Sequence, residues 1–369
     1  MKKVLVLALV LLSFGFFSTA NATEINSDDI YSEQYNASGA GSLSDALPND
    51  VADSLKELDI SGANISWTKY FTPKNIFTHI LDFFKTGGKR PLTAGLSVLA
   101  VMLFSTTVKA IGDENKTVNY VLSIGVTVAA VLPTISTIRA CVSVIETICV
   151  FMLALIPVYA SILVSRGKPL TASGFSAVML TSSNAVSSLC SFVIVPLTGI
   201  QLALAVSGSV SPDIKTESLS RGIKKMSLWI MSLSTTVLLG CLGIQTIVTG
   251  SADSVSSKTA KFLLGSAVPI VGSTVSEAFT MVRGCVKLLG SSVAVYSIVA
   301  LSLLVLPIII ELLLWRISML FCASFAESLS LIQCVSLLRA VDSAISFVLG
   351  VVILVGILFI ISVTMVAVV

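Results

Sequence analysis

A chain of 369 residues, 55% hydrophobic and only 12% charged, with a mean hydropathy of +0.98, is excluded from the soluble globular class, where about a quarter of residues are charged. A formal net charge of +3, with the lysines and arginines dispersed, excludes a nucleic-acid-binding surface as well. The composition is that of an integral membrane protein.

The first residues read as a secretory signal. Lys2 and Lys3 form a positive start, residues 4–17 an apolar core, and Ala20-Asn21-Ala22 a small-x-small cleavage site. The alternative is a first transmembrane helix that stays attached, for which the apolar core is short. Residues 1–22 are therefore taken as a cleaved signal, with the mature chain starting outside the cytoplasm. Residues 23–66 are polar and rich in Ser, Asn, Asp and Gly, which predicts a flexible extracytoplasmic arm with a short helix near Val51. Trp67, Tyr70 and Phe71 then mark an interface. Thr72-Pro73 suits a helix start, and Ile76, Phe77, Ile80, Leu81 and Phe84 fall on one stripe before Gly87-Gly88. Residues 67–90 are expected to hold an amphipathic helix on the membrane surface.

From residue 91 to residue 369 the chain reads as a multi-spanning domain. A span needs about 20 apolar residues, and 92–111, 118–138 and 142–164 each supply them. The stretch 175–206 is too long for one simple helix and is interrupted at Pro196, so a hairpin or two short spans are expected there. Further spans fall at 226–248, 293–315 and 345–369, while 262–289 and 317–338 are more amphipathic. The predicted fold is an all-α polytopic membrane protein with about 6–8 transmembrane helices, proline-broken spans and amphipathic interfacial helices. Arg166 and Lys168, and Arg221, Lys224 and Lys225, would mark two cytoplasmic loops.

Chemistry is sparse. The seven cysteines form no C-x-x-C pair and the one histidine is His79, so neither a metal centre, nor a cofactor site, nor a disulfide framework is expected. No nucleophile–base pair or phosphate loop can be assembled, and no catalytic residue is assigned. Arg139 and Glu146 would share a helical face if one helix spans both, and Glu311 and Arg316 stand at the end of a span. Such charges are functional candidates by default, yet near helix ends snorkelling and pairing are the ordinary reading. The Ser/Thr/Asn-rich run 181–191 could line a polar cavity or act as helix–helix glue.

The stretch "VPIVGSTVSEAF" (268–279) interrupts an apolar run with Pro269 and Gly272. Thr274 followed three residues later by Glu277 fits a capping box, so a break followed by a capped amphipathic helix is expected. Glu277 is read as a cap and not as a proton carrier.

The run "SSKTAKFLLGSAVPIVGSTVSEAFTMVRGCVKLLG" (256–290), together with "LIPVYASILVSRG" (155–167), the signal and the order of spans, resembles the stage III sporulation protein AE family. The resemblance implies a polytopic component of the channel apparatus between mother cell and forespore, in the mother-cell membrane around the forespore. It further implies partnership with other membrane and intermembrane-space proteins of the same sporulation operon, including a secretion-type ATPase. Lys261, Pro269, Gly272, Thr274 and Glu277 are carried as structural or partner-contact positions only. Two functions stand against each other: a non-enzymatic subunit of that secretion-like complex, and an autonomous secondary transporter with proline-broken helices.

Overall fold

A computed structural model describes residues 35, 37–57, 88–111, 116–210, 216–267 and 272–368. The expected signal (1–22), the expected interfacial helix around residues 73–86 and Pro269 lie outside the described residues. Every described element is helical. A 3-10 helix, Ala40–Ala46, leads into α1 (Asn49–Glu57). Then follow α2 (Lys89–Ile111), α3 (Lys116–Ser165), α4 (Pro169–Leu189), a π segment Cys190–Ile194 and α5 (Val195–Val210). The last three are α6 (Thr216–Ala267), α7 (Gly272–Ser328) and α8 (Ile332–Val368). Six segments among the described residues are long and apolar enough to cross a membrane: Lys89–Val108, Ser123–Ser165, Pro169–Ser209, Ser218–Asp253, Leu289–Ser328 and Ile332–Ala367. The all-α polytopic expectation is met.

Cross-helix contacts fix an antiparallel bundle. At one end the segment 37–57 and the α3–α4 turn come together. Ser161 on α3 donates to the Ser38 carbonyl at 3.3 Å, and Leu43, Leu47, Val51 and Leu55 are buried. Where composition suggests a free arm, these residues are packed against α3 and α7. Midway, Arg316 on α7 pairs with Asp342 on α8 at 2.9 Å. At the far end Ser123 on α3 donates to Gln333 on α8 at 3.0 Å, and Thr127 meets Ser209 on α5 at 3.3 Å. The α7–α8 pair makes the most extensive interface. Helix α2 joins only the far half: the Pro91 carbonyl accepts from Ser318 at 3.0 Å, and the Gly95 carbonyl accepts from the Cys322 thiol at 3.5 Å.

Three expectations about spans are corrected. The stretches 118–138 and 142–164 are one 50-residue helix, α3, with Pro133 and Pro157 inside it. The hairpin expected in 175–206 does not form. Backbone angles stay right-handed helical at Leu189, Cys190 and Val195, and the Val195 N–H bonds to the Cys190 carbonyl five residues back. Pro196 supplies no N–H and its ring crowds the carbonyl four residues earlier. Widening one turn to the π pattern absorbs that defect without reversing the chain. The stretch 317–338 is divided by a turn at 329–331, so its apolar residues Met319, Cys322, Ala326, Leu337 and Leu338 are buried on two antiparallel helices.

The turns themselves are short and similar. After α3, Gly167 has φ 74°, its N–H bonds to Val164 O at 2.8 Å, and the Lys168 N–H reaches Leu163 O at 2.9 Å. After α7, Ser330 takes φ 57°, its N–H bonds to Glu327 O at 3.0 Å, and the Leu331 N–H reaches Ala326 O at 3.0 Å. Both are helix ends closed by a left-handed residue, the position that favours glycine. Ser330→Gly is therefore expected to stabilise the fold by ~0.5–1 kcal/mol and Gly167→Ala to destabilise it by ~1 kcal/mol, measured as shifts in thermal unfolding of the detergent-solubilised protein.

Candidate functional site

The end of the bundle beside the segment 37–57 concentrates buried polarity. Pro169 opens α4 at its first turn, and the preceding Lys168 makes no side-chain cap. A helix start leaves backbone N–H groups without intrahelical partners. Here Asp253 of α6 takes two of them, accepting from Leu170 N at 3.2 Å and Thr171 N at 2.7 Å. It also accepts from the Thr171 hydroxyl at 2.7 Å. Asp253 and Thr171 are each 1% exposed, so this cap is supplied from a different helix inside the protein.

Arg166 lies beside it, 6% exposed, over Gly290 of α7. A Cβ at Gly290 would collide with the Arg166 guanidinium and crowd Ile162. Glycine is thus what lets the guanidinium lie against the backbone of α7. Burial pushes the Arg166 guanidinium below its ordinary value, while nearby Tyr159 acts in the opposite direction. The expected loop carrying Arg166 and Lys168 is a three-residue turn with one of its two cations inside the bundle. Because it meets Asp253, ~42 Å along α6 from Lys225, the two expected cytoplasmic loops do not share one face.

Within the bundle, the Ser-rich face of α4 is split. Ser182 and Ser183 are buried with hydroxyls that find no partner among the described residues, and the Gln201 amide of α5 is buried with neither end bonded. Asn184 and Ser188 face outward. An apolar crevice lies next to the π segment, lined by Val186, Leu189 and Cys190 of α4 and the π turn, Met231 and Leu238 of α6, and Val355 of α8. Sequence reasoning singled out the serines and missed Gln201, because one glutamine in an apolar run gives no periodic signal.

The charges at membrane depth resolve differently from one another. Arg316 is bound to Asp342 on α8, a partner that sequence spacing could not indicate. Glu311, one turn from the buried Trp315, is not part of that pair and lies within electrostatic reach of Arg90. Arg139 and Glu146 are both exposed on α3 and do not pair with each other among the ion pairs of the described residues.

Of the five positions carried forward from the sequence, Lys261 lies on α6. Gly272 is the first residue of α7, which also contains Thr274 and Glu277. Helix α7 thus starts two residues before the expected cap. The side chains of Lys261, Thr274 and Glu277, and Pro269 altogether, lie outside the described residues. Among the described residues no group of three His, Cys, Asp or Glu side chains is arranged to hold a metal ion.

Asp253→Ala is expected to lower stability by ~2 kcal/mol, through loss of a cap and of charge-assisted hydrogen bonds. Asp253→Asn keeps one acceptor and should cost about half of that. Unfolding midpoints in detergent check both.

Comparison with known proteins gives a consistent answer. The stage III sporulation protein AE family matches residues 65–369. Stage III sporulation protein AE of Bacillus subtilis (strain 168) is 26% identical over 157 residues, 42% of this chain and 39% of the relative, so the match spans well under half of that relative's length. No solved structure matches. With a family match over most of its length on a helical, multi-spanning bundle, the chain belongs to the stage III sporulation protein AE family.

Proposed function

We propose that the chain is a non-enzymatic membrane subunit of a secretion-like channel complex linking mother cell and forespore, and that it acts only as part of that assembly. The observation that carries this reading is the height of the apolar bundle. Ser123–Ser165, Pro169–Ser209 and Leu289–Ser328 run for 43, 41 and 40 residues, or roughly 60–65 Å at 1.5 Å per residue. Hydrocarbon is about 30 Å thick, and a tilt at the upper end of the usual range, about 40°, lengthens the path only to ~40 Å. Some of the outward apolar surface therefore lies beyond what lipid covers. Leu96, Leu103, Phe104, Val121, Val128 and Leu132 are all at least half exposed or nearly so, on α2 and the first third of α3. A surface of that kind fits protein partners.

The partners, as the family resemblance implies, are other membrane and intermembrane-space proteins of the same sporulation operon, driven by a secretion-type ATPase. The location is the mother-cell membrane around the forespore, reached through a cleaved signal. The competing reading, a free-standing transporter, draws on broken helices whose loose ends bind solute. Against it, Pro133, Pro157 and Pro307 sit inside continuous helices, and Pro196 is absorbed by a π turn.

The test is to compare the protein purified alone with the protein drawn from sporulating cells. Alone it should move no solute into liposomes and should self-associate as detergent is reduced. From sporulating cells it should co-purify with operon products, and its deletion should block sporulation after engulfment. Solute uptake by the reconstituted chain unaided would overturn the subunit reading.

A further inference from the structure

We infer that the bilayer occupies only the half of the bundle nearest residues 37–57, and that exposed cations on α2, α3 and α6 grip anionic lipid headgroups at its inner boundary. Five helices share a section without a single charged residue. These stretches are 147–165 on α3, 169–189 on α4, 226–252 on α6, 289–310 on α7 and 343–368 on α8. Each is about 19–27 residues, or ~29–41 Å of helix, the height needed to cross hydrocarbon. The contacts align them as one slab. Its outer edge is set by Arg166 over Gly290 and Asp253 on Thr171.

The inner edge is a belt of charge. Arg316 and Asp342 are in contact across α7 and α8. Glu311 stands five residues before Arg316 on α7, and Ser318 of the same helix donates to the carbonyl of Pro91, the neighbour of Arg90 on α2, at 3.0 Å. The π segment that holds Cys190 packs on α3 and shares the crevice with Met231, six residues from Lys225. Lys89 and Arg90 on α2, Arg139 on α3 and Lys225 on α6 are all exposed and, by these contacts, stand on the same side of the slab. Long cationic side chains at that depth extend to the headgroup level, where anionic lipid offers opposite charge.

The other half of the bundle is charge-free on α2 (91–108), α3 (117–138) and α5 (195–210) as well, but its α6 and α7–α8 portions do not suit hydrocarbon. Its α6 portion carries Glu217, Arg221, Lys224 and Lys225 within ten residues. Its α7–α8 turn carries the Arg339–Glu327 pair, 3.1 Å apart with side chains 61% and 62% exposed, an arrangement that water or protein tolerates and lipid does not. Helix α2 starts at the belt and packs on α7 from Pro91 to Gly95, running away from the charge-free slab. It is apolar enough to span and yet lies outside the slab. This placement does not depend on the proposed function.

The test uses the full chain. Cys241 is exposed on α6, 12 residues from Asp253 and therefore ~18 Å into the slab. A nitroxide on Cys241 of the Cys285→Ser protein, reconstituted in phosphatidylcholine–phosphatidylglycerol vesicles, should collide with oxygen and be shielded from a water-soluble nickel chelate. Cysteines placed at the exposed positions Ser42 and Lys89 should react with a membrane-impermeant maleimide from opposite faces of the membrane. Reaction from the same face, or a nickel-accessible label at Cys241, would overturn the placement. For the headgroup contact, the protein purified from the same mixed vesicles should retain phosphatidylglycerol over phosphatidylcholine, measured by mass spectrometry of bound lipid. The combined Lys89→Gln, Arg90→Gln, Arg139→Gln and Lys225→Gln variant should retain several-fold less, and Lys56→Gln should match the parent. If the combined variant does not fold, the four single variants carry the measurement. Undiminished phosphatidylglycerol retention in the folded variants would overturn the headgroup contact while leaving the slab to the other two readouts.

Discussion

Hydrocarbon offers no hydrogen bonds, so a chain that enters it has to satisfy its own backbone. This protein does so with helices that are far longer than the crossing requires: α3 has 50 residues and α7 has 57. Length of this kind has to be maintained through prolines. Pro133, Pro157 and Pro307 are held inside continuous helices, and hydroxyls take up nearby carbonyls, with Thr134 donating to Ala130 O at 2.7 Å. Around Pro196 the helix itself adjusts, with a π turn ahead of it and Thr198 donating to Ile194 O at 2.6 Å. The bundle's height, and with it the excess of apolar surface over what one bilayer covers, follows from keeping these helices unbroken.

Because the helices are long, their register against one another needs fixing at a few points, and polar groups supply those points. Asp253 ties α6 to the start of α4, Arg316 and Asp342 tie α7 to α8, and Ser123 with Gln333 ties α3 to α8. In an apolar setting such bonds have no competing water, and misaligned helices would leave their groups unsatisfied. Glycines work alongside them: at Gly95, Gly174 and Gly290 a Cβ would strike Ser318, Gln245 and Arg166 respectively. These close approaches let a polar side chain of a neighbouring helix lie against backbone.

Much of the architecture was legible from residues alone. The helical, multi-spanning class followed from the density of apolar runs, and the family resemblance from the stretch 256–290. The run 175–206 was expected to be a hairpin or two short spans because proline usually marks a helix boundary, and a π turn leaves no trace in hydrophobic periodicity. Joining 118–138 to 142–164 was equally hidden, since Arg139, a charged residue between two runs each long enough to span, resembles a boundary when its exposure is unknown. Gln201, the buried amide of α5, carried no pattern at all. Asp253 was invisible as a cap, because its partners lie more than eighty positions away.

What the sequence determined by itself is the solvent this protein lives in and the secondary structure that solvent permits: helices, from the scarcity of charge and the need for internal hydrogen bonding. The tertiary structure alone decided which charges are isolated and which are paired, where Arg166 is buried and why Gly290 faces it, and at what height each helix meets its neighbours. Those properties depend on distances between residues far apart in the chain, and a one-dimensional pattern reports only the spacing along a single helix.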